Sequence, residues 1–374
     1  MRVSDIEIAS GDGYRQLSAR IDHFHLWYRV PPDCPLSDRG DAFVAAALLP
    51  AMHAGEPLEI EGAAVSPMLL RGAERVQAMV SRWDRRFRRI EIRAETAPAV
   101  PTRPGVGCFF SGGIDGTYTL LRHQEEIDCL VFVKGLDMQV ENDALFEASL
   151  RNNRKLAEHF GKPLLSMATN IRHMVAPRGL SWCDIYGGCG LASITLALGF
   201  PRMYIASSQT YEHLTPHGSH PLLDPCWSTE ALTLVHDGCD AARSEKLRAV
   251  ARVPGALESL RVCWQDDGYN CGRCEKCLRT MLALRLLGLR SDSFPPLRDL
   301  APIRRLRVIH NYDAMAFEDN LRLARQVGDH EAAAILEDIL RRHRIKRAVL
   351  DLDLALTGGR GKRTWRALRP APID

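Results

Sequence analysis

Phe110-Ser111-Gly112-Gly113-Ile114-Asp115-Gly116-Thr117 follows the short apolar run Val106 to Phe110 and precedes a helical stretch that reaches Arg122. Strand, glycine turn and helix in that order decide the fold. Two adjacent glycines let the backbone turn sharply and bring its N–H groups close to an anion. The helix behind them aims its positive end at the same point. The stretch therefore predicts a phosphate-binding loop at the carboxyl end of a strand, where parallel α/β sheets hold their ligands.

Two other phosphate loops do not fit. A Walker loop needs Lys and then Ser or Thr after its last glycine, whereas Gly116 is followed directly by Thr117. A dinucleotide fingerprint needs G-x-G-x-x-G, and that spacing does not occur. What remains is S-G-G-x-D. Ser111 offers a hydroxyl donor, and Asp115 is placed to hold Mg²⁺ against phosphate oxygens.

These eight residues resemble the PP-loop of the ATP pyrophosphatase superfamily, whose usual motif is SGGxDS or SGGxDT. The resemblance implies that Ser111, Gly112, Gly113, Ile114, Asp115, Gly116 and Thr117 bind ATP with Mg²⁺. The loop of that family grips the β and γ phosphates and leaves the α-phosphate open to a substrate carbonyl oxygen. An adenylate forms, pyrophosphate leaves, and ammonia, an amine or sulfur then displaces AMP. Position 116 is glycine where the family has Ser or Thr, and Thr117 is expected to supply the hydroxyl.

A second signal lies downstream. Cys263-x7-Cys271-x2-Cys274-x2-Cys277 gathers four of the eleven cysteines. An odd total cannot pair fully, and close clustering points to metal rather than disulfides. Four thiolates suit a closed tetrahedral Zn²⁺ site, with an iron–sulfur cluster as the alternative. Leu260-Arg261-Val262 reads as a strand delivering Cys263, and Arg273, Lys276 and Arg279 offset the negative cluster. A PP-loop followed by this spacing resembles 7-cyano-7-deazaguanine synthase. That family uses ATP to convert a deazapurine carboxylate with ammonia to an amide and then a nitrile. The resemblance covers about 105 to 290 and implies a relative with a changed substrate, either a small molecule, a peptide or a protein carrying a carbonyl.

Outward from the loop, strands and helices alternate. Leu130 to Val133, Pro163 to Met167 and Arg202 to Ala206 read as strands, and Ala144 to Phe160 and Cys189 to Leu198 as helices. This is the pattern of a doubly wound parallel α/β sheet. Residues 1–98 are expected to form a separate α+β domain that selects the substrate or a protein partner, ended by the proline-rich linker Thr96 to Pro104. Residues 105–290 form the ATP-binding domain with the cysteine site. Residues 291–374 form a helical extension whose basic residues, Arg341 through Arg369, read as a solvated face and tail or as an RNA contact.

Further site candidates come from position. Ser207 ends the strand Arg202 to Ala206 on the ligand side. The loop behind it carries His217, His220 and Asp224, which are expected to bind substrate or move a proton. Lys134 closes a strand and reads equally as a phosphate contact or a surface lysine. Tyr186-Gly187-Gly188-Cys189-Gly190 suggests a close approach to ATP or a plain helix start. Cys183, Cys189, Cys226 and Cys239 read as small buried hydrophobes.

Composition sets outer limits. The 374 residues are 46% hydrophobic and 25% charged, ordinary for a globular chain that buries its own core. A formal charge of +3 gives no argument for nucleic acid. The opening residues are charged and no run is long enough to span a membrane, so the cytoplasm is the expected compartment. Two alternatives to an adenylating ligase stand beside it: a sulfur-inserting enzyme acting on tRNA or a metabolite through Cys183, Cys189 or Cys226, and a non-catalytic nucleotide-binding partner protein.

Overall fold

The computed structural model describes residues 1–266, 268–308 and 311–357. It is a mixed α/β structure built on one ten-stranded sheet. The strands are β1 (Arg2–Gly11), β2 (Tyr14–Ile21), β3 (Phe24–Val30), β4 (Leu58–Ile60), β5 (Ile92–Arg93), β6 (Val106–Phe109), β7 (Cys129–Lys134), β8 (Leu164–Thr169), β9 (Arg202–Ala206) and β10 (Thr233–Asp237). The helices are α1 (Asp41–Ala54), α2 (Pro67–Trp83), α3 (Ile114–Arg122), α4 (Asp143–His159), α5 (Ile171–Val175), α6 (Gly187–Leu198), α7 (Arg243–Val250), α8 (Glu275–Leu286), α9 (Ala301–Arg304), α10 (Asn311–Val327) and α11 (His330–Thr357).

The strand order is β10-β9-β6-β7-β8-β3-β2-β1-β4-β5. The pairs β1–β2, β2–β3 and β3–β8 are antiparallel, and every other neighbouring pair is parallel. Its interior strand β7 is almost entirely buried, as its unbroken apolar run requires of a parallel strand covered on both faces. Apolar residues on every side of α1 and α6 bury both helices. They pack on each other, with Tyr186 Oη donating to Ala46 O at 2.7 Å and Ser193 Oγ to Ala42 O at 2.5 Å.

The structure departs from the expected boundary near residue 98. Tyr28 and Arg29 of β3 pair with Thr169 and Ala168 of β8, so the sheet runs straight through it. Glu230 adds a second tie, accepting from Ser66 Oγ at 2.6 Å, Met68 N at 3.0 Å and Ala99 N at 3.1 Å. One compact unit holds residues 1–277 with 290–295, and the other holds 278–289 with the chain from 296 onward. The expected boundary at 290 is likewise displaced. In the second unit Leu278, Met281, Leu282, Leu286, Ile335, Leu336, Ile339 and Leu340 are buried, as their spacing suggests.

Other expectations are corrected locally. Leu260 to Val262 joins no strand; Arg261 N instead donates to Gly112 O at 3.2 Å. Arg279 is engaged with Asp313 Oδ1 at 3.4 Å in the second unit. Arg360, Lys362, Arg363, Arg366 and Arg369 lie outside the described residues. Among the described residues no helix is long and apolar enough to cross a membrane.

Candidate active site and metal centre

The strand order reverses at β6. The chain proceeds from β6 to β7 and β8 on one side, then returns to place β9 and β10 on the other. Crevices at the carboxyl ends of strands at such a point are where open α/β sheets bind ligands. Ser111, Gly112 and Gly113 occupy that place. Gly112 has φ 74°, and a Cβ there would stand 2.3 Å from Asn153 Oδ1, so the position admits only glycine without a shift. Gly113 caps α3 with no side chain, which leaves the first N–H groups of that helix without a side-chain acceptor. A Cβ at Gly116 would stand 3.3 Å from Phe109 O, so glycine lets α3 start close against β6.

The surroundings of the loop hold unspent donors. Asn153 on α4 is fully buried, and neither polar atom of its side chain has a partner. Ser149 Oγ, one turn earlier, and Arg261 Nε are in the same condition. Leaving such a group unpaired costs roughly 1–3 kcal/mol each. A site that tolerates this cost next to a turn of backbone N–H groups suits a ligand rich in oxygen acceptors.

Asp115 faces two cations. Arg243 Nη1 donates to its Oδ2 at 2.6 Å, and Lys246 Nζ lies 3.4 Å from its Oδ1. Burial pushes the carboxyl up, but Arg243 and Lys246 outweigh it and hold Asp115 below the ordinary carboxylate range. The carboxylate expected to hold Mg²⁺ is therefore already engaged by α7. Sequence reading did not single out Arg243 or Lys246. Arg-Ser-Glu-Lys-Leu-Arg resembles any solvated helix face, and only folding shows that Lys246 is buried.

Several expected phosphate contacts are used internally. Thr117 Oγ1 donates to Gly113 O at 2.8 Å and is buried, so it does not replace the hydroxyl missing at 116. Ile114 is buried and contributes backbone alone. Lys134 pairs with Asp143. The Ser207 hydroxyl donates to Gln209 O at 2.9 Å, while its carbonyl receives Lys246 Nζ at 2.7 Å. Ser207 thus anchors Lys246 instead of meeting the nucleotide through its side chain.

His217, His220 and Asp224 each hold partners within and around their loop. His220 packs edge-on to Trp83 of α2, with ring centroids 5.0 Å apart, and its Nδ1 accepts from Leu222 N at 3.1 Å. His217 bonds Ser219 O through Nδ1 at 3.2 Å. Burial lowers the pKa of both rings. Fully buried Asp224 instead meets His236 Nδ1 at 2.7 Å and Ser219 Oγ at 2.6 Å. The glycines of α6 approach the chain itself: Gly188 N donates to Gly218 O at 2.8 Å, and a Cβ at 188 would stand 2.2 Å from that oxygen. Burial raises Cys183 to about 11 and also raises Cys189 and Cys226, so none of the three sulfur-carrier candidates is poised as a thiolate.

The four clustered cysteines do converge. Cys263 and Cys274 sulfurs are 3.8 Å apart, Cys271 and Cys277 sulfurs 4.0 Å, and all four lie within 4.8 Å of one another. A tetrahedral site with metal–sulfur bonds of about 2.3 Å places its sulfurs about 3.8 Å apart. Backbone N–H groups of Gln265, Cys271, Cys274 and Cys277 point at sulfurs of the set at 3.3 to 3.5 Å. Such donors favour thiolates. Lys276 Nζ sits 3.3 Å from the centroid of Trp264, beside two of the ligands. The donor set fits a metal ion of the zinc type.

No protein-family model, curated protein or solved structure matches the chain.

Proposed function

We propose that this chain is an ATP-dependent ligase that adenylates a carboxylate or amide carbonyl, releases pyrophosphate, and passes the carbonyl to ammonia or an amine. The observation that carries the reading is the loop at the reversal point of the sheet. Gly112 turns there at φ 74°, α3 begins uncapped, and the buried side chain of Asn153 waits without a partner. The order β8-β7-β6-β9-β10 is also that of a doubly wound sheet numbered 3-2-1-4-5.

On this reading Ser111, Gly112, Gly113 and the first turn of α3 hold the β and γ phosphates through backbone N–H groups. Asn153 and Arg261 complete the cradle. Arg243 and Lys246 neutralise the departing pyrophosphate, and Asp115 holds those two cations in register, sharing Mg²⁺ when the nucleotide is bound. Charge stabilisation of this kind is the main contribution a protein makes to phosphoryl or adenylyl transfer. Zn²⁺ in the cysteine set is structural, since four protein ligands leave no open position. A cytoplasmic setting fits a zinc thiolate cluster and unpaired cysteines.

The test is phosphorus NMR of Mg·ATP incubated with the protein, ammonium and a panel of deazapurine, amino-acid and peptide carboxylates. AMP and pyrophosphate should appear with wild type and not with Asp115→Ala. ADP and orthophosphate in their place, or turnover surviving in Asp115→Ala, contradicts the proposal.

A further inference from the structure

Residues 259–262 lie against the phosphate loop, are all buried, and join no strand. Arg261 N donates to Gly112 O at 3.2 Å. A Cβ added at Gly112 would stand 3.4 Å from Ser259 O, and one added at Gly113 would stand 3.5 Å from Arg261 O. The backbone of this segment therefore touches both glycines of the turn. Buried backbone outside any strand must find its hydrogen bonds elsewhere.

Those bonds lead to the metal centre. Asn270 stands in for a neighbouring strand: its Oδ1 accepts from Val262 N at 3.0 Å, and its Nδ2 donates to Leu260 O at 2.8 Å. A further bond from Nδ2 to Ser293 O at 3.0 Å fixes the amide in that orientation. Tyr269 Oη donates to Ser259 O at 2.6 Å. Val262 is followed by Cys263, and Asn270 by Cys271. The segment and the two side chains that grip it thus each end on a cysteine of the four-sulfur set, with Cys271 N 3.5 Å from Cys263 Sγ. A metal ion bound by both thiolates fixes these two stretches of chain against each other. Thiols without a metal exchange only weak hydrogen bonds. An empty site lets the stretches part, and the backbone freedom regained, roughly 1–2 kcal/mol per residue, favours the release.

We propose that Tyr269 and Asn270 are positioning residues for nucleotide binding, which hold residues 259–262 on Gly112 and Gly113 and are themselves held by occupancy of the four-cysteine site. This rests on the adenylation reading. The bond from Arg261 N to Gly112 O keeps the peptide groups of the turn oriented before the nucleotide arrives. Donors aimed in advance cost no reorganisation on binding. A released turn is competent for only part of the time, and the affinity for ATP falls by that fraction. The metal takes no part in the chemistry and still sets how tightly the nucleotide is held.

Calorimetry with Mg·ATP and amide exchange on the full zinc-loaded chain test it. Tyr269→Phe keeps the ring and removes the hydroxyl. It should retain its zinc and a cooperative melt while binding Mg·ATP about threefold more weakly, as loss of one hydrogen bond predicts. Asn270→Ala removes both bonds to the segment and should bind about tenfold more weakly or worse. In both variants, and in wild type treated with a chelator, amide exchange at Arg261 should quicken before that of α6. Exchange that quickens equally at both places makes these groups staples of the whole unit and overturns the proposal. Zinc lost from Tyr269→Phe in step with its affinity assigns the residue to the metal site and also overturns it. Wild-type affinity in both variants overturns it and leaves the adenylation reading standing. A wild type that binds no Mg·ATP contradicts the adenylation reading, and this role falls with it.

Discussion

Asn153 states the compromise at this site most clearly. A buried amide with no partner lowers stability, and replacing such a group by an apolar one of similar shape is neutral or stabilising. Asn153→Leu is therefore expected to hold or raise the melting temperature while weakening Mg·ATP binding; a lower melting temperature with intact binding would assign Asn153 to packing alone. Glu230 makes the opposite prediction. Burial would raise its pKa, but hydrogen bonds from Ser66 and from the backbone at Ala99 and Met68 bring it down to about 2. A glutamate held below its ordinary value of about 4.3 stabilises the fold above that value and loses the contribution as pH falls toward the folded pKa. Glu230→Gln should thus be less stable than wild type at pH 6, with the gap closing as the solution is acidified through that window. A gap independent of pH would contradict the assignment.

At the level of the element, what was legible followed from regular patterns. The glycine turn between β6 and α3 was read from the two adjacent glycines, and β7, α4, α6 and β9 from apolar runs or helical period, each within a few residues. The cysteine set was legible because spacing alone carries it. Its convergence predicts a colourless protein with one zinc per chain, and a strong chelator should lower the melting temperature by several degrees or more, since a structural zinc contributes about 10 kcal/mol or more in small domains. A brown protein carrying iron would correct the metal. The strands β1 and β2 were missed although Asp5-Ile6-Glu7-Ile8 and Leu17-Ser18-Ala19-Arg20-Ile21 alternate; the alternation is short, and nine of the ten residues of β1 face solvent or are half-buried. The site residues Arg243 and Lys246 were missed for a different reason: each is a polar residue that meets Asp115 only through a contact distant in sequence. His217 and His220 were chosen for their loop, and there each ring bonds the loop's own backbone.

For the whole molecule, the expectation of a detachable N-terminal domain is replaced by a sheet shared between residues 1–98 and the phosphate-loop strands. Removing residues 1–98 strips β3 from β8 and α1 from α6, exposing a strand edge and an apolar helix together. That truncation should be insoluble or lack a cooperative melt; a soluble, cooperatively folded product would restore the two-domain view. The same continuity places the loop, Asn153 and the α7 cations within one compact unit, where they can act on one nucleotide. The most direct test is a calorimetric titration of the full chain with Mg·ATP. The account predicts one ATP per chain, displaced by Mg·pyrophosphate, with affinity reduced about tenfold or more in Arg243→Ala because a charged hydrogen bond to phosphate is lost. A folded wild-type protein that binds neither ATP nor pyrophosphate would contradict it.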